Sequence, residues 1–167
     1  VTARGPLLAY RDRTVDEIRD IHVARLEDGA WRTLPAVHAD NWKIAGCPVN
    51  GPAIAATGND AVVAWYSAAA DAPKLQLARS ADAGDSFAAP VVVDEGEAVQ
   101  GRPDVALDAK QAWVAWLRED ATGQSLWLAR YAPDLSRELS RTQVAALQGR
   151  GRATGFPMIV ALQWVHR

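Results

Sequence analysis

Ala61-Val62-Val63-Ala64-Trp65-Tyr66 and Ala112-Trp113-Val114-Ala115-Trp116-Leu117 decide how this chain folds. Both are short apolar or alternating runs, rich in β-branched and aromatic residues, which is the composition of strands. They stand 51 residues apart, Trp65 on Trp116. The same offset carries Pro52-Ala53-Ile54-Ala55 onto Pro103-Asp104-Val105-Ala106, and Leu77-Ala78-Arg79 onto Leu128-Ala129-Arg130. Ala9-Tyr10 and Ala24-Arg25 precede Ala64-Trp65 and Ala78-Arg79 by 55 and 54 residues, and Pro103 recurs as Pro157 after 54. Three anchors repeating in one order, with a period in the low fifties, describe an array of like units such as propeller blades.

Each unit reads as four short strands: a proline-led strand A, an aromatic strand B, the Leu-Ala-Arg strand C and a strand D such as Ala89 to Val93. Gly58-Asn59-Asp60 and Asp108-Ala109-Lys110 supply turn chemistry between A and B. No segment sustains a helical apolar stripe between caps, and Val15 to Arg25 reads as loop then strand. The expected fold is all-β: a β-propeller of four-stranded antiparallel blades in one domain. Its repeats run approximately over 1–45, 46–97 and 98–149, with a fourth starting at 150–167.

The first repeat begins at a strand B, Leu7 to Tyr10, and the last holds little beyond a strand A, Phe156 to Leu162. Together they make about three blade equivalents, too few to close a ring, which needs roughly four or more. Two expectations follow. The chain is part of a longer, six-bladed protein, or two chains form a homodimer in which each C-terminal strand completes the partner's first blade. The first is favoured by register: Trp113 lies ten residues after Pro103, but Trp164 only seven after Pro157.

Composition narrows the function classes. The 167 residues, 49% hydrophobic and 23% charged, exclude collagen, coiled coil and wholesale disorder. With 18 basic and 20 acidic side chains and a net charge of -2, no bulk affinity for nucleic acid is expected. No apolar run approaches the roughly 18 residues of a membrane span. The single cysteine, Cys47, excludes an internal disulfide framework and is read as a packed thiol. His22, His38 and His166 have no metal-ligand spacing, so neither a metal nor another cofactor is expected. The chain opens at Val1 with no targeting signal in view.

Between strands C and D of the second repeat stands Ser80-Ala81-Asp82-Ala83-Gly84-Asp85-Ser86-Phe87. Ser80, Asp82, Gly84, Ser86 and Phe87 fill the five positions of an Asp box, Ser-x-Asp-x-Gly-x-(Ser/Thr)-(Trp/Phe). The logic is that of a tight turn: Asp82 accepts from turn amides, Gly84 takes a positive φ and Phe87 folds beneath the blade. With the repeats, this box resembles the sialidase (BNR/Asp-box) superfamily over nearly the whole chain. Tyr10-Arg11-Asp12-Arg13, Arg19-Asp20-Ile21 and Gly46 to Pro52 look like a bacterial, exported sialidase-like group. The resemblance implies a six-bladed sialidase-type propeller, a secreted or periplasmic envelope location, and an Asp box on the face opposite the active site.

Propeller topology gathers the B-to-C and D-to-A connections on one rim, and arginines collect there. Arg11, Arg13, Arg102 and Arg152 are candidates to grip a substrate carboxylate, with Trp42, Lys43, Asn50 and Arg118 as further substrate-binding candidates. By resemblance, a sialidase also needs a tyrosine nucleophile and an aspartate acid/base, for which Tyr66 and then Asp12 or Asp104 are the candidates (Asp20 a further one). No Arg-Ile-Pro segment of the family is found. The reading is therefore a sialidase-like propeller that acts on or binds acidic glycans, an exo-glycosidase if it is an enzyme. The alternative is a non-enzymatic glycan- or protein-binding propeller scaffold in the bacterial envelope. Trp65, Trp113, Trp116 and Trp127 are assigned to the core between blades, and Arg79 and Arg130 to solvated blade flanks.

Overall fold

The computed structural model describes residues 1–161, apart from the side chain of Arg152. Among the described residues, eleven strands form three antiparallel sheets, and the only helical pieces are single 3-10 turns at Ala69–Asp71 and Gly151–Ala153. Sheet one holds β1 (Leu7–Arg11), β2 (Ile21–Glu27) and β3 (Ala30–His38). Sheet two holds β4 (Ala53–Thr57), β5 (Asp60–Ser67), β6 (Lys74–Ser80) and β7 (Val91–Glu95). Sheet three holds β8 (Val99–Leu107), β9 (Ala112–Asp120), β10 (Gly123–Tyr131) and β11 (Glu138–Leu147). Each sheet is an up-and-down meander, the form of a propeller blade, and the first has three strands where the others have four. No helix among the described residues is long and apolar enough to cross a membrane.

The 51-residue repeat survives as geometry. Ala53 pairs with Ala64 in sheet two as Asp104 pairs with Ala115 in sheet three. The inner strands follow one another, β1 against β4 and β4 against β8. Side chains alternate across each sheet, so every blade offers one apolar face to each neighbour. Val63, Trp65 and Ala78 of sheet two join Ile21, Val23, Leu34 and Val37 of sheet one. On the other face, Val62, Ala64, Leu75 and Leu77 meet Val105, Val114 and Trp116 of sheet three. Trp65 and Trp116 are fully buried.

One device recurs at both junctions. The Trp65 indole donates to Asp40 at 2.6 Å, and Gln76 donates to the second oxygen at 3.0 Å. Trp116 donates to Asp94 at 2.7 Å, and Arg118 adds bonds at 2.8 and 2.9 Å. Asp40 follows β3 and Asp94 lies in β7, so each blade's last strand hands a carboxylate to the tryptophan of the next blade. A buried carboxylate is tolerated here because both oxygens find donors.

The turn after β6 joins sheets one and two. Ala83 and Gly84 take φ of 61° and 94°, and the Gly84 amide donates to Ser80 Oγ at 2.8 Å. Ser86 donates to Asp82 through its amide at 2.9 Å and its hydroxyl at 2.6 Å, while Ser80 Oγ donates at 2.7 Å. Phe87, half-buried, packs on the cluster between the two sheets. Arg25, fully buried on β2, reaches into the same turn, donating to the Ala83 carbonyl and to Asp85 at 2.8 Å each. Desolvation in the turn pushes the Asp82 carboxyl up, but the Ser86 and Ser80 hydrogen bonds outweigh it and lower it from 3.8 to about 2. The folded value lies below the unfolded one, so the turn's contribution is complete above pH 3.8 and fades as pH falls through about 2. Carboxyl NMR titration should therefore find the Asp82 midpoint near 2. A midpoint at the ordinary aspartate value would contradict this hydrogen-bond set.

The end of the chain departs from expectation. Phe156 to Leu162 reads as a strand A, yet the described part, 156–161, is not in a ladder. Its exposure alternates with period two as a strand's does, but among the described residues no strand is hydrogen-bonded to it. Leu162, Trp164 and His166 lie outside the described residues.

Candidate functional site

The antiparallel meander brings the ends of β1, β5 and β9 to one rim, together with the starts of β4 and β8. The arginines picked out there divide into three kinds. Arg11 ends β1 and is committed to the protein: Nε donates to the Asn50 carbonyl at 3.1 Å, Nη1 to that of Arg19 at 2.5 Å and Nη2 to that of Tyr66 at 2.6 Å. Its guanidinium lies 4.9 Å from the Trp42 ring centroid. Burial pulls Arg11 down to about 10, against the opposing pull of Asp40 and Asp20, so it stays charged at neutral pH.

Arg102 is likewise engaged. Buried and at φ 51°, it donates to the carbonyls of Gly151 at 2.7 Å and of Thr154, and it lies 5.5 Å from the Phe156 ring. It ties the segment after β11 onto sheet three. Arg13 is exposed and pairs with Glu17, four residues on. The side chain of Arg152 falls outside the described residues.

The remaining candidates are placed as follows. Trp42 is buried at 8% exposure, edge-on to Tyr66 at 5.7 Å, with Arg11 on its ring. Its environment is the loop core. Lys43 is exposed and bridges Ile18 through backbone pairing. Asn50 accepts the Arg102 amide at 2.9 Å on its side chain. Tyr66 is half-buried, and a Cβ at Gly101 would stand 2.7 Å from Tyr66 Cβ, so the φ of 69° at Gly101 serves a close approach. Burial pushes the Tyr66 phenol up, away from the phenolate a nucleophile needs. Asp104 accepts the Ile159 amide and Asp12 is exposed. No hydrogen bond joins Tyr66, Asp12 and Asp104 to one another among the described residues. Cys47 is exposed, a correction to the packed thiol expected, because it stands in the loop between β3 and β4 and not in a strand. Arg79 and Arg130 are half-buried and bonded to Asp60 and Gln111.

Arg118 is the third kind. At the end of β9, its Nη1 is pinned by both oxygens of buried Asp94, and its guanidinium carbon lies 5.9 Å from the Trp127 ring. Its Nε and Nη2 make no hydrogen bond among the described residues, and its side chain is 33% exposed. Pinned on one side and open on the other, it is oriented without being saturated. It lines a cleft of about 580 Å³ with Asp120, Ser125, Trp127, Gln143 and Arg150. One face of Trp127 stacks on Trp116 at 6.3 Å.

Charges in the cleft are nearly paired. Arg118 faces Asp94, and Arg150 lies 3.6 Å from Glu119 while donating to the Asp120 and Ala121 carbonyls. The Gly151 amide holds the Glu119 carboxyl below its usual value, and Thr122 does the same for Asp120. Both are therefore ionised at neutral pH. Trp127 packs on the core cluster, as its strand spacing implies, and borders the cleft as well, which no sequence signal marks; Gln143 carries no sequence signal either. Asp94 escaped as well, although Trp116 was recognised.

No protein-family model and no curated protein matches the chain. Among solved structures it is similar to the GH32 β-fructofuranosidase BmSUC1 of Bombyx mori, with a TM-score of 0.46 and 14% identity. That match covers 83% of this chain and 35% of that one, so the chain spans about a third of that protein's length.

Proposed function

We propose that this chain is a glycan-binding portion of a propeller, holding a hydroxyl-rich sugar in the Arg118–Trp127 cleft without hydrolysing it. The observation that carries the reading is Arg118 itself. Asp94 anchors Nη1, and Nε and Nη2 are left to bind two adjacent oxygens of a ligand. Trp127, Gln143 and Asp120 add a ring and polar groups of the kind that fix a sugar's orientation. Hydrolysis needs a carboxylic acid kept protonated near neutrality, whereas Glu119 and Asp120 are both pushed the other way. The near-pairing of Arg118 with Asp94 and Arg150 with Glu119 favours neutral hydroxyls over the acidic sugar that the sialidase resemblance implies. The envelope location stays with that resemblance.

Calorimetric titration with lactose and 3′-sialyllactose tests the reading. Both should bind, lactose at least as tightly, and Arg118→Met should weaken each about tenfold or more, as loss of a bidentate pair does. Binding of neither sugar, or binding indifferent to Arg118→Met, overturns the proposal. Hydrolysis of a fluorogenic sialoside that Tyr66→Phe abolishes would replace it with the glycosidase reading.

A further inference from the structure

Alternation along β9 puts Trp116, Arg118 and Asp120 on one face of sheet three, and the register adds Ser125 and Trp127 from β10 and Gln143 from β11. Glu119 projects to the other face, where it accepts from Gln124 and from the Gly151 amide at 2.7 Å each. Arg118 and Asp120 are thus the charged pair that β9 brings to the cleft. They are held in the same manner. Arg118 is pinned at Nη1 by buried Asp94, with Nε and Nη2 left over. Asp120 accepts the Thr122 amide at 2.8 Å and the Thr122 hydroxyl at 2.5 Å on Oδ1, which leaves Oδ2 able to accept from a ligand. Thr122 and the nearby Arg118 charge hold the Asp120 carboxyl below its usual range, so it is ionised at neutral pH. The Trp127 indole already donates to Ser125 Oγ at 2.9 Å, so that residue offers the cleft its ring.

We infer that Asp120 is the specificity-determining residue of this cleft, and that the group it selects is a vicinal diol. The inference rests on the sugar reading above and narrows it. A carboxylate, sulfate or phosphate offers acceptors only: it satisfies Arg118 but sets its charge against Asp120. An ammonium group offers donors only, so it suits Asp120 and is repelled by Arg118. A hydroxyl both accepts and donates. Two of them on neighbouring carbons accept from Nε and Nη2, whose fork suits adjacent oxygens, while one gives its proton to Oδ2 of Asp120. The Trp127 ring then covers the apolar C–H face of the same sugar. Asp94 supplies the anchor and Asp120 the choice. Without Asp120, the fork of Arg118 would serve any oxyanion.

Calorimetric titration with methyl β-galactoside, its 3-deoxy analogue and inorganic sulfate is the test. The deoxy sugar keeps three hydroxyls but no two on neighbouring carbons, so the wild-type protein should bind it about tenfold more weakly than the parent. Asp120→Asn keeps an oxygen for Thr122 and removes the charge. It should weaken the galactoside several-fold and strengthen sulfate about tenfold, a gain that mere loosening of the turn does not give. Equal binding of the two galactosides overturns the diol. A galactoside-to-sulfate preference unchanged by Asp120→Asn overturns the role of Asp120. Should the wild-type protein bind neither galactoside while Asp120→Asn still gains sulfate, the sugar reading and the diol have failed, and the exclusion of anions by Asp120 stands. The galactoside pair needs no variant and decides the diol even if Asp120→Asn does not fold.

Discussion

Replacing Trp116 with alanine is expected to lower the unfolding free energy by about 3–5 kcal/mol, the range for truncating a buried tryptophan. The side chain is fully buried in the cluster joining sheets two and three. It also donates the indole hydrogen bond to buried Asp94. Trp116→Phe separates the two contributions: packing is largely kept, one donor to a buried carboxylate is lost, and the cost should fall to about 1–3 kcal/mol. Urea unfolding monitored by circular dichroism reads both. A Trp116→Phe protein as stable as the wild type would show that the indole bond to Asp94 contributes nothing.

Arg11→Met should cost about 3 kcal/mol, because it strips charged donors from three backbone carbonyls at once. Those carbonyls belong to Arg19, Asn50 and Tyr66, on three separate stretches of the rim. The loss should therefore be accompanied by faster amide exchange in the loops before β2 and before β4, with the β8–β11 sheet unchanged. A substrate-gripping arginine behaves in the opposite way: its removal spoils binding and leaves stability nearly untouched. A stable Arg11→Met protein that no longer binds sugar would return Arg11 to the ligand site.

The blades were legible because their anchors repeat. Trp65 and Trp116, or Leu77 and Leu128, stand at one offset, and only a periodic fold imposes one offset on strands of different sheets. The turn from Ser80 to Phe87 was legible for a local reason, since the hydrogen bonds among Ser80, Asp82, Gly84 and Ser86 lie within seven residues. The rim was half legible. Arg11, Arg102 and Arg118 stood out as cations at loop starts, but where a guanidinium points depends on its partners. For Arg11 and Arg102 those partners are backbone carbonyls, which every residue carries and no side-chain pattern betrays. Asp40 and Asp94 were passed over because each meets its tryptophan in the following sheet, across 25 and 22 residues. Trp127 was read as core from its strand spacing, and its inner face does stack on Trp116. Its outer part borders the cleft because the strand lies near the blade's periphery.

The proposed site puts ligand at Arg118 and Trp127, away from Arg11, Trp42 and Tyr66. Nitrogen-15 correlated NMR during a lactose titration tests it directly, since each tryptophan indole gives its own signal. The Trp127 indole and the Gln143 side-chain amide are predicted to shift, while the Trp42 and Trp65 indoles stay in place. Shifts confined to Trp42, or no shift at any indole, would contradict the account.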